Sequence, residues 1–307
     1  MDREINHSNV IAAVEPHASL RENQRDNERH SLRESSMGRI LLDMGKIKPE
    51  DGERILRQQK EKGLRFGEAA KSLGLVTDAD IEQVLARQFD YPYLQAGQGH
   101  FAEELIAAYQ PFNRQVETLR AIRSQLMLRW FASGRNTLAI ASVNPGEGAS
   151  LFTANLAVVF SQLGEQTLLV DANLRTPRQH QIFNLSGKQG LSDILAGRAD
   201  TTAVSRVDHF VDLSILQAGT LPPNPQELVN RDSFGQLTTR IASQYDVVLF
   251  DVPAFSAGAD ALAVAVRAGG VLLVARKNVT SVNDISTVAE QLGRVGAEVV
   301  GSVMVDY

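Results

Sequence analysis

The pattern of apolar and polar residues divides the chain into parts of different character. Residues 1–34 are polar, mixed in charge and without hydrophobic periodicity, which is typical of a disordered tail. The alternative is an amphipathic segment that becomes ordered on a partner. Residues 35–95 show helical periodicity, residues 96–110 have the composition of a linker, and residues 111–307 alternate apolar runs with helical patterns. The pattern therefore predicts two folded domains.

The apolar runs of the larger domain are rich in Val, Ile and Leu and are separated by helical patterns. Such an order predicts an α/β fold with a mostly parallel, doubly wound sheet covered by helices on both faces. The predicted strands are Thr137–Ser142, Thr167–Ala172, Leu213–Gln217, Val247–Val252, Gly270–Arg276 and Val299–Val305. The predicted helices between them are Leu151–Leu163, Pro225–Val229, Asp232–Gln244, Ala259–Ala268 and Val282–Val295. A longer helix is expected from Pro111 to about Phe131, because proline is tolerated at a first helical position.

The smaller domain contains an internal repeat with a spacing of 29 residues. The repeated pairs are Gly38 and Gly67, Gly45 and Gly74, Leu56 and Leu85, and Gln59 and Gln88. Each copy predicts a short helix that ends at a glycine, followed by a longer amphipathic helix. Two such helical hairpins can bury their apolar faces against each other. We therefore expect a small all-α domain.

A glycine-rich turn lies between the first predicted strand and the helix that follows it. A strand, a glycine turn and a helix together direct several backbone N–H groups and a helix N-terminus at a phosphate. The phosphate-loop pattern G-x-x-x-x-G-K-[ST] is matched only in its closing half, because Ala149 stands at the lysine position and Val143 at the first glycine position. The candidate phosphate-binding residues are Gly146, Glu147, Gly148, Ala149, Ser150 and Leu151.

Two aspartates end predicted strands of the same sheet. Ligands of such sheets bind beyond the carboxyl ends of the strands, where Asp171 and Asp251 are expected. Carboxylates there hold Mg²⁺ or its waters, or accept a proton from a nucleophile, and Ser150 could ligate the metal directly. Arg175 and Arg178 follow Asp171, and they either supply the missing positive charge or are surface residues.

Composition narrows the range of partners. The net charge of −5 lacks the basic stripe of a nucleic-acid-binding protein, and the absence of cysteine excludes disulfides and thiolate metal sites. No apolar run approaches the ~20 residues of a membrane-spanning helix, and the N-terminus has no signal-peptide core. We expect a cytoplasmic protein that is peripheral at the inner membrane only through a partner.

The larger domain resembles the deviant phosphate-loop proteins of the MinD/ParA type. Among them it is most similar to the bacterial tyrosine kinases (BY-kinases) of exopolysaccharide biosynthesis, of the EpsG type. The motifs that carry the resemblance are E-x-x-R-x-x-R at Glu117, P-G-E-G-x-S at Pro145, N-L-A at Asn155, V-D-A-N-L-R-T-P at Val170, G-L-S-D-I-L-A-G at Gly190 and A-G-T-L-P-P-N-P-Q-E-L at Ala218. The resemblance implies a MinD-like fold, ATP or ADP and Mg²⁺ as ligands, and a membrane-embedded, Wzz-like chain-length-determinant partner. It also implies a homo-oligomeric ring with contacts at Glu117, Arg120 and Arg123.

The chain departs from the family pattern where chemistry would occur. Ala149 replaces the lysine of the Walker A loop, and Asn173 replaces the second aspartate of the following motif. Loss of an ammonium group beside the transferred phosphate is expected to cost roughly two or more powers of ten in rate. Asn173 cannot accept a proton and is a weaker magnesium ligand than a carboxylate. The expected tyrosine cluster at the C-terminus is reduced to Tyr307, the possible phosphoacceptor.

These residues leave two main hypotheses open. The first is an ATP-dependent tyrosine autokinase of reduced activity, with Asp171 and Asp251 as catalytic residues and Arg175 beside the phosphates. The second is a catalytically impaired relative that acts as a scaffold of the polysaccharide machinery. A MinD-type positioning ATPase is disfavoured, because the motif at Glu117 belongs to the kinase branch and no C-terminal amphipathic helix is visible.

The repeat of the smaller domain resembles the N-terminal (MshEN) domain of type II secretion and pilus-assembly ATPases. Some members of that family bind cyclic di-GMP through paired repeats. The corresponding residues in the second copy are Arg65 and Gln88, whereas the first copy has Ser36 at the arginine position. Serine cannot replace the bidentate contacts of an arginine. The alternative is a helical docking module without a ligand.

Overall fold

The computed structural model describes residues 37–88, 93–94 and 98–306. It contains two compact units, which divide between residues 91 and 92. The predicted tail at residues 1–34 lies outside the described residues. Among the described helices, none has the length and apolar composition needed to cross a bilayer.

Within residues 37–88, the first unit contains four helices. They are α1 (residues 37–43), α2 (Pro49–Lys62), α3 (Phe66–Ser72) and α4 (Asp78–Gln88). The buried core consists of Leu41, Ile47, Ile55, Phe66, Ala69, Ala70, Val76 and Val84. Both helical hairpins contribute to this one core, as the repeat predicts.

The repeat is reproduced in the backbone as well as in the sequence. Gly45 and Gly74, which follow α1 and α3, both have φ of +67°, a left-handed conformation that favours glycine. Before α2, Asp51 accepts a hydrogen bond from the N–H of Lys48 at 3.0 Å, and before α4, Asp80 accepts one from the N–H of Thr77 at 2.9 Å. Equivalent local interactions therefore end and begin the helices of both copies.

The two copies also exchange packing contacts between their first helices. A Cβ atom on Gly38 would lie 3.1 Å from the ring of Phe66, and a Cβ atom on Gly67 would lie 3.4 Å from Sδ of Met37. Met37 and Phe66 occupy the same position in the two copies. Each copy thus presents a glycine to the large side chain of the other, which is a contact with approximate twofold symmetry.

The second unit contains one seven-stranded sheet. In sheet order the strands are β3 (Ser205–Val207), β4 (Phe210–Leu216), β2 (Thr167–Asp171), β5 (Val247–Asp251), β1 (Thr137–Ser142), β6 (Gly270–Arg276) and β7 (Glu298–Val305). All neighbours are parallel except β3, which pairs antiparallel with β4 at the edge. The predicted α/β fold is confirmed. The short strand β3 is not predicted, because Ser205 and Arg206 do not form an apolar run.

Helices cover both faces of this sheet. They are α5 (Ile106–Tyr109), α6 (Arg114–Arg129), α7 (Ala149–Ser161), α8 (Gln179–Ile182), α9 (Leu191–Leu195), α10 (Pro225–Asn230), α11 (Asp232–Ala242), α12 (Asp260–Ala268) and α13 (Val282–Arg294). The helix predicted from Pro111 begins at Arg114, because the side chain of Asn113 accepts the N–H of Gln115 and acts as the N-cap.

The structure differs from the predicted linker at residues 96–110. Leu105, Ala107 and Ala108 are fully buried in the core of the second unit, and Leu94 packs in the same cluster. The N–H of Ala107 donates to Oδ1 of Asn155 in α7 at 2.9 Å. The polar stretch Q-A-G-Q-G-H suggests a linker, but the residues after it are held by burial against α7.

Candidate functional site

The glycine turn lies between β1 and α7 at the carboxyl edge of the sheet. Gly146 and Gly148 have φ of 82° and 88°, and Gly148 is the N-cap of α7. Both conformations are left-handed, which non-glycine residues rarely adopt. The sequence places two glycines where the chain has to reverse between a strand and a helix.

The turn directs a series of unpaired donors away from the sheet. Within the part of the chain that the structure describes, none of the backbone N–H groups of residues 146–151 donates to a protein acceptor, and the first bonded group is that of Phe152, which donates to the carbonyl of Gly148 at 3.0 Å. Six consecutive N–H groups at the positive end of a helix are the arrangement that binds phosphate. This is the geometry that the glycine pattern predicts.

Glu147 points back into the protein rather than out of the loop. Its carboxylate is buried and accepts hydrogen bonds from the N–H groups of Val143 and Asn144, both at 3.0 Å. It also accepts the hydroxyl of Thr280, in the segment after β6, at 2.8 Å. The side chain therefore braces the loop, and the contribution of Glu147 to a phosphate is limited to its backbone N–H.

The two predicted aspartates meet at the ends of neighbouring strands. Asp171 and Asp251 are partners in the register of β2 and β5, and both are fully buried. Asp251 accepts the hydroxyl of Ser150 at Oδ1 (3.1 Å) and the side-chain amide of Gln179 at Oδ2 (2.8 Å). The strand ends thus bring together the phosphate loop and both carboxylates, although they are up to 101 residues apart in sequence.

Burial changes the protonation of this pair. Burial away from water raises the pKa of Asp251 to about 6. Hydrogen bonds from Gln179 and Ser150 and the positive charge of Arg178 act in the opposite direction and lower this pKa, but burial is the larger effect. Burial and the neighbouring Asp251 also raise the pKa of Asp171, although Asp171 accepts three backbone N–H groups. Two neighbouring carboxylates that are both buried repel each other when both are ionised, so the doubly charged state is disfavoured.

Gln179 is a part of the site that no sequence motif indicates. Its side chain is fully buried, and Nε2 donates both to Asp251 and to the carbonyl of Ser150, the latter at 3.0 Å. Among the described residues, its Oε1 has no hydrogen-bond partner. Glutamine occurs on most protein surfaces, so only the position of α8 above the two strand ends reveals this role.

Asn173 and Arg175 are engaged within the protein. Oδ1 of Asn173 accepts the N–H of Thr176 at 3.0 Å, which closes a turn after β2. Arg175 forms a bidentate ion pair with the buried Asp260, with Nε–Oδ2 of 2.9 Å and Nη2–Oδ1 of 3.0 Å. The guanidinium group that was expected beside the phosphates is thus held by the start of α12.

The remaining predicted site residues lie elsewhere. On α6, Arg120 pairs with Glu117, and Arg123 donates from Nη1 to the carbonyl of Val159 at 2.7 Å. These contacts orient the side chains on their own helix and against α7. In the helical unit, Arg65 is exposed before α3 and Gln88 is the last residue of α4. Tyr307 lies outside the described residues.

The two distinctive motifs that carry no obvious chemistry are joined to each other. Oδ2 of Asp193 accepts the N–H groups of Gly190 (3.2 Å) and Thr220 (3.0 Å), and the hydroxyl of Ser192 donates to the carbonyl of Thr220 at 2.6 Å. A Cβ atom on Gly190 would overlap the carbonyl oxygen of Gln217. The motif that begins at Gly190 therefore holds in place the motif that begins at Ala218, and the latter leads into α10.

The second unit is similar to a known protein family and to curated tyrosine-protein kinases. Residues 135–289 match the family model described as cellulose biosynthesis protein BcsQ. The tyrosine-protein kinase Wzc of Salmonella typhimurium is 32% identical over 201 residues, which are 66% of this chain and 28% of that protein. The chain thus spans little more than a quarter of the length of this curated relative.

The second unit is also similar to solved structures of tyrosine kinase domains and of MinD. The kinase domain of the Escherichia coli tyrosine kinase ETK superposes with a TM-score of 0.63 and 30% identity, over 65% of this chain and 78% of that one. The septum site-determining protein MinD of Pyrococcus horikoshii, solved with Mg-ADP, has a TM-score of 0.50 and 23% identity, over 55% and 70% of the two chains. The second likeness supports the fold alone.

Proposed function

The chain belongs to the bacterial tyrosine kinase (BY-kinase) family, and we propose that it binds ATP and ADP as a tyrosine autokinase of reduced activity in exopolysaccharide polymerisation and export. The observation that carries the proposal is the series of unpaired N–H groups at residues 146–151. Such donors at a helix N-terminus favour the charged oxygens of a nucleotide.

The residues at the strand ends fit a hard cation beside those phosphates. Ser150, Asp171 and Asp251 supply the oxygen ligands that Mg²⁺ prefers, and Oε1 of Gln179 is a further oxygen without a partner among the described residues. When bound, Mg²⁺ would offset the negative charge of the phosphates. Within the described part of the chain, no third acidic or histidine side chain joins the pair. This is consistent with the loss of a carboxylate at position 173.

The carboxylate pair also suits the transfer of a proton from a tyrosine hydroxyl. A catalytic base is most effective when its pKa is close to the working pH, and burial raises the pKa of Asp251 to about 6. We assign Asp251 as the proton acceptor and Asp171 as its neighbour in the catalytic pair, whose own pKa is raised by burial and by the charge of Asp251. Ser150 and Gln179 orient the Asp251 carboxylate through one hydrogen bond to each oxygen.

Two substitutions argue for a reduced rate. Ala149 has no charge to place on the transferred phosphate, and Oδ1 of Asn173 is already occupied by the turn that it closes.

We further propose that assembly of copies involves the exposed part of α6 around Glu117, and that a membrane-embedded partner of the chain-length-determinant class recruits the protein. For the helical unit we propose ligand-dependent regulation, with cyclic di-GMP contacts at Arg65 and Gln88.

Calorimetric titration of the full chain with ADP and ATP, with and without Mg²⁺, tests the proposal. Micromolar binding that strengthens with Mg²⁺ is expected, and phosphotyrosine should appear slowly on incubation with Mg-ATP. The substitution Gly148→Val, which places a branched side chain at φ of 88°, should abolish binding. Absence of nucleotide binding at millimolar concentration would reject the proposal.

A scaffold without catalysis is the second candidate, and one observation favours it. Both oxygens of Asp251 are already hydrogen-bonded within the protein, by Ser150 and Gln179, so the site is satisfied without a cation. For this candidate, nucleotide binding would be weak and independent of Mg²⁺. Phosphotyrosine would be absent in the presence of the membrane partner.

A further inference from the structure

The loop lacks a positive charge at position 149, and two other basic residues of this unit, Arg175 and Lys277, are paired with carboxylates. Ala149 is buried at the first turn of α7. Arg175 is held by Asp260, and Lys277 pairs with Asp306 at 2.7 Å. A basic side chain that is paired with a carboxylate has part of its charge neutralised, and the bidentate contact with Asp260 also fixes the geometry of Arg175. Neither residue is therefore well placed to replace the lysine.

Arg178 lies directly above the carboxylate pair. Its backbone N–H donates to Oδ2 of Asp171 at 3.1 Å, and it is the N-cap of α8. The next residue, Gln179, donates to the same oxygen from its backbone at 3.0 Å, and its side chain reaches both Asp251 and the carbonyl of Ser150. Two consecutive residues thus connect the segment after β2 to the end of the phosphate loop.

The side chain of Arg178 is available for a ligand. It is exposed, and within the described residues its guanidinium group donates to no acceptor and forms no ion pair. Its charge nevertheless acts on the site, because it lowers the pKa of Asp251. The backbone of Arg178 is fixed by the carboxylate pair, whereas its charged end remains free to turn towards the unpaired N–H groups of the loop.

We propose that Arg178 supplies to the nucleotide phosphates the positive charge that Ala149 does not. The inference rests on the proposed function, since it names a residue that contacts the nucleotide at the same site. A guanidinium group is always charged and can bind two phosphate oxygens at once, so it can act from a neighbouring segment without the reach of a loop lysine. Arg178 would thus supply the positive charge that is missing at position 149, but from the segment after β2 and not from the loop itself.

The test compares ADP binding by calorimetry in the full chain, with Mg²⁺ present, for the wild type and five variants. Arg178→Gln should weaken ADP binding by about 10- to 100-fold, because a hydrogen bond between charged groups is lost. Arg178→Lys keeps the charge but loses the bidentate geometry, so it should weaken ADP binding less than Arg178→Gln does. Ala149→Lys in the Arg178→Gln background should restore binding, because the charge returns to the loop. Arg294→Gln, at the exposed end of α13 on the opposite side of the sheet, is the matched control and should bind like the wild type.

Each outcome separates the inference from the proposed function. If the wild type binds ADP and Arg178→Gln binds it equally well, the inference is wrong while the proposed function stands. The inference is also wrong if Arg276→Gln, at the end of β6, causes the loss and Arg178→Gln does not. Failure of the wild type to bind ADP rejects both. Circular dichroism of Arg178→Gln should match the wild type, because the anchoring contacts of residue 178 come from its backbone.

Discussion

Thr280 donates a hydrogen bond from its hydroxyl to Oε1 of Glu147 at 2.8 Å, across 133 residues of sequence. The same hydroxyl accepts the backbone N–H of Arg276 at 2.7 Å. Since Oε2 of Glu147 holds the N–H groups of Val143 and Asn144, the conformation of the phosphate loop depends on the end of a different strand, β6. A movement of the segment after β6 would therefore be transmitted to the loop through one carboxylate.

Replacement of Glu147 with Gln should loosen the phosphate loop. The amide keeps one acceptor but removes the charge that holds two backbone N–H groups, so we expect a loss of about 1–3 kcal/mol in the free energy of unfolding. The affinity for nucleotide should also decrease in this variant, because the N–H groups of the loop are no longer held in place. Urea denaturation and ADP titration measure the two effects.

Substitutions at Thr280 provide the matched control for this link. Thr280→Ser keeps the hydroxyl and should behave like the wild type, whereas Thr280→Val removes the donor and should reproduce part of the Glu147→Gln effect. If Thr280→Val and Thr280→Ser are equally stable, the contact between the two segments contributes nothing to the loop.

Arg175→Gln should destabilise the protein by leaving Asp260 without its cation. Asp260 is 2% exposed, whereas the side chain of Arg175 is 35% exposed, so we expect a loss of about 2 kcal/mol, below the range for a fully buried pair. The double variant Arg175→Gln/Asp260→Asn should recover part of this loss, because no charge remains buried. Additive losses in this double-mutant cycle would contradict a direct coupling.

Gly258→Ala should disturb the same ion pair from the backbone. A Cβ atom at this position would lie 2.5 Å from Nη2 of Arg175 and 2.6 Å from Oδ1 of Asp260. We expect thermal denaturation to show a loss similar to that of Arg175→Gln. In the Arg175→Gln background the additional effect of Gly258→Ala should be small, and a full additional loss would mean that the glycine is required for another reason.

Asp251 should make the protein less stable as the pH rises through the weakly acidic range. Its pKa is about 6 in the folded protein against an ordinary value of 3.8, so between these values the folded state binds more protons than the unfolded state. The free energy of unfolding therefore falls with rising pH in this window, by up to about 1.4 kcal/mol per pH unit from this group. Asp251→Asn should flatten this part of the profile, measured by urea denaturation from pH 4 to pH 7. An unchanged slope would show that Asp251 does not titrate there.

Three glycine-to-alanine substitutions should affect the helical unit in opposite directions. At Gly38 and Gly67 the new Cβ would lie 3.1 Å from Phe66 and Ile81, so each should lower the stability of this unit by about 1 kcal/mol or more. Gly52, in the first half of α2, has open space around it, and Gly52→Ala should raise stability by about 0.5–1 kcal/mol. Hydrogen exchange of the full chain, followed in α1 to α4, measures the changes. A destabilising Gly52→Ala would contradict the packing described here.

Features that depend on neighbouring residues could be predicted from the sequence. The strand, glycine turn and helix around Gly146 and Gly148 form where they are expected, because the left-handed turn needs glycine and the apolar run needs burial on both faces. The repeat likewise predicts two equivalent hairpins, since Gly45 and Gly74 end helices by the same local interaction. Asp171 and Asp251 could be placed at one edge because parallel strands end on the same side of a sheet.

Features that depend on distant partners could be decided only by the tertiary structure. The sequence does not distinguish Gln179, buried against Asp251, from any exposed glutamine, nor does it show that Asp260 holds Arg175. Leu105, Ala107 and Ala108 follow a polar stretch, yet packing against α7 buries them in the core. The direction of a polar side chain is determined by which donors and acceptors the fold brings near it, and these lie 48 to 133 residues away here. The sequence by itself therefore determined the glycine turn between a strand and a helix, because its conformation is local. Only the folded chain decided which side chains hold that turn in place, because their partners are distant in sequence.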